Sequence, residues 1–286
     1  GYYRVRFKGI VTDTPHVQVS PLSSVGDMCS YYGLGFSGKP LEVYVSCRDR
    51  KGEPADVRFM VNFVEAHGFG APAMAYAWAQ SPKYPDYPAH PVYSYAWNDN
   101  DITVKRLGAG KYRVSLPGSG YIKGNIQITR FGSNKARICR VESWADGASR
   151  LDVLVRCRAQ KGKAADAQVQ LLFPADPGPK GNRGADWFYL YANKPKTQGY
   201  RPTSDYSSWS GFGRSWVKRE GPGRYTVRLP TMPLGGAVQV TAVDGYKYCN
   251  ASSVRLSGPP QRVSVRCFKA NGKDRADARF MLSYVK

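Results

Sequence analysis

The chain is short of acids, of histidine and of long apolar runs, and each shortage closes off a class of protein. No stretch nears the ~18 consecutive apolar residues of a membrane-crossing helix, and Gly1-Tyr2-Tyr3-Arg4 has no apolar signal-peptide core. There is no C-x-x-C pair, and the three histidines, His16, His67 and His90, share no equivalent position, which leaves no zinc set. No G-x-S-x-G is present, and no histidine recurs beside a repeated serine and aspartate, so the pattern of a hydrolase is missing. An acid beside a histidine, as in Asp86 and His90, reads as solvated loop surface. Nothing in the sequence asks for a cofactor or a metal, and the expectation is a protein that is not an enzyme.

Acids are outnumbered two to one: 21 Asp and Glu face 42 Lys and Arg, a net charge of +21. Hydrophobic residues at 42% and aromatics at 13% exclude a disordered basic tail, because such tails lack the apolar surface that offsets ordering entropy. Thirty glycines and twenty prolines in 286 residues argue against long helices. At about 150 residues per domain, length alone suggests two domains.

The chain repeats itself, and the repeat changes that count. YYRVRFK from Tyr2, KYRVSLP from Lys111 and RYTVRLP from Arg224 align Tyr3, Tyr112 and Tyr225. Each is followed by a β-rich stretch centred on glutamine: HVQVS at Gln18, NIQIT at Gln127 and AVQVT at Gln239. Cysteine pairs come next, Cys29/Cys47, Cys139/Cys157 and Cys249/Cys267, each 18 positions apart. After them stand Gly52, Asp56 and Phe59, then Gly162, Asp166 and Val169, then Gly272, Asp277 and Phe280. MAYAWAQSPKY from Met74 and FYLYANKPKTQ from Phe188 add an upstream half to two copies; the first has none. The division is 1–66, an N-terminally incomplete module, then two full modules at 67–173 and 174–286. A module lacking its opening strands exposes a sheet edge, which implies a cleaved precursor, a self-sufficient five-strand unit or a strand supplied by another chain.

Within each segment the hydrophobic period is two. Val153, Val155 and Cys157 alternate with Asp152, Leu154 and Arg156, and the strands ending at Cys47 and Cys267 do the same. Glycines at 52, 162 and 272 supply positive-φ turn positions between strands. About seven short strands per full module predict an all-β fold of tandem antiparallel sandwiches, immunoglobulin-like, each with one disulfide. The second cysteine lies on the core face, so its partner meets it from a neighbouring or facing strand. A loop of that size contributes about 3 kcal/mol by constraining the unfolded chain. Paired cysteines imply an oxidising, extracellular compartment. The recurring Asp56, Asp166 and Asp277 read as acceptors for backbone amides at a hairpin, since no acidic cluster surrounds them to make a calcium site.

AYAWA after Met74, TVKRLGAGKYRVSLP from Thr103, GAVQVTA from Gly236, the following cysteine, and VSVRC with its later Gly272, Asp277 and Phe280 together carry a resemblance. They resemble a tandem repeat found in secreted β-rich proteins of actinobacteria and myxobacteria whose activities are not characterised. It covers almost the whole chain and implies export and tandem architecture, with no activity, cofactor or substrate to carry over. This chain departs from it in being richer in Arg and Lys.

Period two also places the charge. With Tyr3, Val5 and Phe7 facing in, Arg4 and Arg6 face out, and Arg113 and Arg228 follow the same rule. Arg140, Arg156 and Arg158 project opposite Cys139 and Cys157, with Arg48 and Arg266 as counterparts. A one-signed outer face attracts polyanions, an attraction that salt weakens. Pro- and Tyr-rich loops at 81–97 and 194–216 add Tyr84, Tyr87, Tyr93, Tyr200, Tyr206 and Trp209, suited to stacking on sugars or a protein partner, or to covering the sandwich rim. The expected function is a secreted binding protein for an anionic polysaccharide, a cell-envelope polymer or a matrix glycan. The alternatives are an assembly subunit using strand complementation, through self-association or a protein partner, and a secreted inhibitor or toxin component. Nucleic acid has weaker support, because no nucleic-acid fold motif is present.

Overall fold

Short alternating segments joined by Gly- and Pro-rich turns can satisfy their backbone only by pairing with one another, and the computed structural model is accordingly all-β, with a short 3-10 turn at Pro91–Tyr93. It describes residues 1–36, 38–65, 74–98, 101–120, 123–132, 135–160, 162–174, 187–203, 206–209, 213–230, 232–243, 246–255 and 260–286. The first repeat contributes β1 (Tyr2–Val11), β2 (His16–Pro21), β3 (Met28–Gly35), β4 (Pro40–Arg48) and β5 (Phe59–Val64). The second contributes β6 (Met74–Ala79), β7 (Asp86–Pro88), β8 (Tyr95–Ala96), β9 (Thr103–Gly108), β10 (Lys111–Pro117), β11 (Gln127–Phe131), β12 (Arg137–Asp146), β13 (Arg150–Ala159) and β14 (Gln168–Pro174). The third contributes β15 (Trp187–Ala192), β16 (Gly199–Tyr200), β17 (Ser208–Trp209), β18 (Trp216–Gly221), β19 (Arg224–Leu229), β20 (Ala237–Val243), β21 (Lys247–Val254), β22 (Gln261–Lys269) and β23 (Arg279–Val285).

In each repeat the strands divide between two sheets that share a core. Tyr112, Val114, Val153 and Val155 from β10 and β13 pack with Val169 and Leu171 from β14. Tyr225, Val227, Val263 and Val265 pack in the same way with Phe280 and Leu282. These side chains are fully buried, and each contributes about 1.5–3 kcal/mol relative to exposure. The cysteine pairs all form, between directly opposite residues of adjacent antiparallel strands: β3 with β4, β12 with β13, β21 with β22. Gly52, Gly162 and Gly272 take positive φ (93°, 83° and 69°), as their turns require.

Two sheets do not stop at the repeat boundaries. One runs β1-β4-β3-β11-β14-β6-β8, and another β17-β15-β23-β20-β12-β13-β10-β9-β7. The joins are parallel contacts at a single residue pair, Tyr31 with Phe131 and Val141 with Val243. A third parallel bridge, Leu22 with Ala251, joins the third repeat back to the first. The sequence alignment makes these equivalent, because Tyr31, Val141 and Ala251 each lie two residues after the first cysteine, and Leu22, Phe131 and Val243 each lie four after the central glutamine. The three repeats therefore close into a ring. Hydrogen bonds seal the last seam: Ser23 N–H to Ala251 O (2.8 Å), Tyr248 Oη to Gly26 O (2.7 Å) and Asn250 Nδ2 to Asp27 O (2.8 Å).

At the middle of the ring lie β2, β11 and β20, whose inward edges, among the described residues, meet another strand at only the one seam pair. Their amides turn to the next repeat's side chains. Val17 N–H donates to Gln170 Oε1 (3.1 Å), and Ile126 and Val238 N–H point at the sulfurs of Met281 (3.0 Å) and Met60 (3.1 Å), residues at one equivalent position. Val19 N–H donates to Thr129 Oγ1, which donates to Gln18 Oε1 (2.7 Å). Ile128 N–H donates to Thr241 Oγ1, which donates to Gln127 Oε1 (2.8 Å). Gln18 Nε2 then donates to His16 Nε2 (2.8 Å), and Gln127 Nε2 to Asn125 Oδ1 (2.5 Å). In the third copy the place of His16 and Asn125 is taken by Ala237, and Gln239 Nε2 is buried with no hydrogen-bond partner.

The first repeat is open where the others are covered. β10 lies between β9 and β13 and β14 between β11 and β6, whereas the equivalent β1 and β5 are edge strands among the described residues. Tyr3, Val5, Phe7, Phe59, Val61 and Phe63 are only partly buried there.

His16 is fully buried against the Tyr76 ring, and burial pushes its imidazole from 6.5 down to about 3. The folded protein keeps it neutral while the unfolded chain takes up a proton, so stability is lost as pH falls from 6.5 toward 3, by about 1.4 kcal/mol per pH unit over that window. His16→Asn, which installs the second repeat's residue, keeps an acceptor for Gln18 and is expected to flatten that part of the profile. Urea denaturation of both proteins between these limits measures the difference in slope.

Candidate functional site

Strand register decides which basic side chains reach solvent. On the third repeat's five-stranded sheet, β16-β18-β19-β22-β21, Trp216 is opposite Arg228 and Arg228 is opposite Arg262, giving one row across three strands. All three are exposed, Trp216 at 39%. The next outward row holds Lys218, Thr226 and Ser264, and the one after it Arg224, Arg266 and Asn250. Arg266 lies low in its range because burial and its neighbours Arg275 and Arg224 all disfavour its charge. The Trp216 indole lies over Gly199, where a Cβ would come within 2.9 Å of it. On the first repeat Arg4 and Arg6 are exposed, with Arg6 3.8 Å from Glu42. On the second, half-buried Arg113 is opposite Lys105.

The arginines beside the cysteines go elsewhere. Arg140 is 4% exposed, and its charge group and that of Arg158 lie 5.5 and 3.9 Å from the Tyr246 ring of the third repeat. Burial pushes Arg140 down to about 10, still charged at neutral pH. Arg140 therefore lies in a seam and not on the outer face that alternation assigns it, because the next repeat covers that edge of β12. Arg156 is half-buried and bonds Glu142 (3.0 Å). Arg48 donates to Gly52 O (2.8 Å) and Tyr2 Oη (3.2 Å), closing its hairpin.

The loop aromatics divide similarly. Tyr84 is exposed at 66%. Tyr87 packs on the second core, and Tyr200 is buried with its hydroxyl accepting from Lys194 N–H (3.1 Å); burial pushes both phenols up to about 12. The side chain of Trp209 lies outside the described residues. Tyr93 and Tyr206 hold equivalent places, two residues before the short strands β8 and β17; Tyr93 lines a cleft at one seam, and Tyr206 packs on two residues that line a cleft at the next. Tyr93 packs tilted against Trp78 (4.8 Å) and edge-on against Phe36 (5.8 Å) over a cleft of about 420 Å³ that Phe131, Tyr32 and Gln168 complete. At the next seam, Tyr206 meets Trp144 and Tyr191 (5.3 and 6.2 Å) beside a cleft of about 250 Å³ that also takes in Glu142, Val243 and Arg279.

A β-bulge aims residues into these clefts. Register slips between Tyr31 and Gly33, between Val141 and Ser143, and between Ala251 and Ser253 leave Tyr32, Glu142 and Ser252 as the extra residues. A bulge twists its strand and redirects one side chain. Here it lets the strand leave its own sheet to touch the next repeat, and it turns Tyr32 and Glu142 toward the seam. Alternation alone does not reveal an inserted residue. Trp216, by contrast, was legible, since it alternates with core-facing Val217 just as Lys218 does.

The recurring aspartates serve the fold. Asp166 accepts from Arg106 through both oxygens (3.2 and 3.0 Å), from Gly110 N–H (2.8 Å) and from Tyr112 Oη (2.9 Å). Asp277 repeats this with Arg219, Gly223 and Tyr225. At Asp56 the Tyr3 hydroxyl and the Gly1 nitrogen hold the same places. Gly110 and Gly223 have φ of 61°, and a Cβ on either would strike a cysteine carbonyl, so only glycine presents its amide there. Burial raises the Asp166 carboxyl, and the donors around it outweigh burial to hold it below the ordinary range. Among the described residues no group of His, Cys, Asp or Glu could hold a metal ion, and no helix is long and apolar enough to cross a membrane. No protein-family model, curated protein or solved structure matches the chain.

Because its folded pKa is depressed, Asp166 contributes stability above the ordinary carboxylate range and loses it as pH falls below that range. Asp166→Asn is expected to cost about 2 kcal/mol near neutral pH, the loss of charge-assisted bonds in a half-buried site. Calcium and a chelator are expected to leave the thermal midpoint of the parent protein unchanged, which calorimetry checks; a calcium-dependent rise would make these aspartates ligands.

Proposed function

We propose that the protein is a secreted, non-enzymatic binding protein that holds an anionic polymer through its basic sheet faces. The observation that carries this reading is the row Trp216–Arg228–Arg262. Like charges directly opposite on neighbouring strands destabilise a sheet, and a solubilising surface would mix signs instead. A polyanion lying across the row converts that repulsion into attraction, while the exposed indole offers stacking area at low entropic cost. Three disulfides support an oxidising, extracellular setting, and the resemblance to exported repeats points the same way. The facing sheets of each repeat support reading the chain as tandem immunoglobulin-like sandwiches joined into a ring. Retention on heparin resin, read over a salt series, tests the binding. Arg228→Ala/Arg262→Ala is expected to elute at clearly lower salt than the parent, with an unchanged thermal midpoint. Equal elution of the two, or no retention of the parent over a neutral resin, removes the reading.

The open edges of β1 and β5 favour a second reading, an assembly protein that takes a strand from a partner. In the second repeat β14 pairs with β6 along Met74–Ala79, an alternation of small and aromatic residues. A lysine-flanked peptide of that sequence is expected to add to β5 and slow amide exchange in Phe59–Val64. Unchanged exchange at saturating peptide excludes it.

A further inference from the structure

The two seam clefts share a construction that neither the basic faces nor the ring closure requires. In the larger one Trp78 and Tyr93 form one wall and Phe36 and Phe131 continue it, with ring centroids 4.4–5.8 Å apart. The rim is polar but uncharged: the Tyr32 ring carries a hydroxyl, and Gln168 carries an amide whose Nε2 donates to Gln80 O (2.8 Å). Tyr31 also lines the cleft, and its hydroxyl is buried with no hydrogen-bond partner. A cleft of about 420 Å³, mostly aromatic with a few polar groups, has the size and make-up of a small-ligand site.

Charge selects among ligands. Among the described residues no acidic side chain lines this cleft, and a protein of net charge +21 repels cations, so an aromatic cage for an ammonium group does not fit. Among the described residues no Lys, Arg or His lines it either, which leaves no counter-charge there for an anion. What remains is a neutral molecule with flat apolar faces and hydrogen-bonding edges. A pyranose ring has that form, with C–H faces to lie on Trp78 and Tyr93 and hydroxyls at its edge for the rim groups.

We propose that the cleft lined by Tyr93 binds a neutral sugar ring, and that the equivalent cleft, walled by Trp144 and Tyr191 on which Tyr206 packs, is a second such subsite, its edge groups changed to Glu142 and Arg279. Bulge and seam make the recurrence possible, since both place the same strand positions around the same gap. The sites lie apart from the Trp216–Arg228–Arg262 row, so this inference does not depend on polyanion binding and neither result decides the other.

The test uses the whole chain and three neutral probes, maltohexaose, cellohexaose and chitohexaose, followed by tryptophan emission and calorimetry. At least one is expected to bind, to bind equally at low and high salt, and to bind Arg228→Ala/Arg262→Ala as it binds the parent. Tyr93→Ala is expected to weaken binding about tenfold, the scale of one aromatic stacking contact, while Tyr93→Phe, which keeps the ring, retains it. Thermal midpoints identify any variant that has failed to fold, and Tyr206→Ala then provides the same test at the second cleft. The proposal is overturned if no probe binds up to about 10 mM, near the weak limit of specific affinities, or if binding survives both alanine variants intact.

Discussion

Three strands whose inward edges meet another strand at only a single residue pair lie in the middle of this molecule, and their remaining buried amides must find partners. An unsatisfied buried N–H costs as much as a lost hydrogen bond, so the arrangement is stable only if the neighbouring repeat supplies acceptors. Thr129 and Thr241 do this through their hydroxyls and pass the chain of bonds to Gln18 and Gln127, while Gln170, Met281 and Met60 face the next amides along. Each repeat thus completes its predecessor's edge. That mutual dependence makes a tandem array into a ring, because an unclosed array would leave one such edge without the acceptors that a following repeat supplies.

The parts legible in the sequence are those set by local periodicity. Alternation around Val153, Val155 and Cys157 fixed a core face, and the equal cysteine spacing fixed the pairing within each repeat. Tyr112 and Tyr225 are core residues as that alternation requires. Gln18, Gln127 and Gln239 were visible as a repeated polar residue in an apolar strand, which is the signature of a buried polar network. The threonines that donate to Gln18 and Gln127 lie more than a hundred residues away in the chain, at spacings that no local pattern encodes. Arg140 shows the same limit. Alternation correctly turned it away from Cys139, but whether that face meets water or another repeat depends on the ring.

The bulges explain why candidate function gathers at the seams. One extra residue after each first cysteine bends β3, β12 and β21 out of their own sheets far enough to touch the following repeat at a single parallel pair. A join of one pair cannot close the space beside it, and aromatic side chains of the following repeat, Trp78 with Tyr93 and Tyr191 with Tyr206, fill it in part. Loops that looked like independent binding surfaces in the sequence thus divide by distance from the seam: Tyr93 and Tyr206 serve the clefts, Tyr87 and Tyr200 serve the cores, and Tyr84 stays in solvent.

The charge of +21 then becomes a question of what holds like-charged strands together. In the third repeat Arg224 opposes Arg266 and Arg228 opposes Arg262, and in the second Lys111 opposes Arg156, which opposes Arg140. Each such pair costs about 0.2–1 kcal/mol. The disulfides stand next to these rows, with Cys139 and Cys157 one residue from Arg140 and Arg156, and Cys267 one residue from Arg266. A cross-link there constrains the unfolded chain by about 3 kcal/mol, more than the repulsion of the adjoining row, and it holds the strands in register whether or not an anion is present. Glu142, shared between Arg156 and Lys111, relieves the second repeat's row from within. The third repeat has no such acid in the row of Trp216, Arg228 and Arg262, and that is the row in which the indole is left exposed. Ion pairs such as Lys218 with Glu220 lie elsewhere on that sheet, so it is this row where the proposed polymer would find basic side chains not already paired within it.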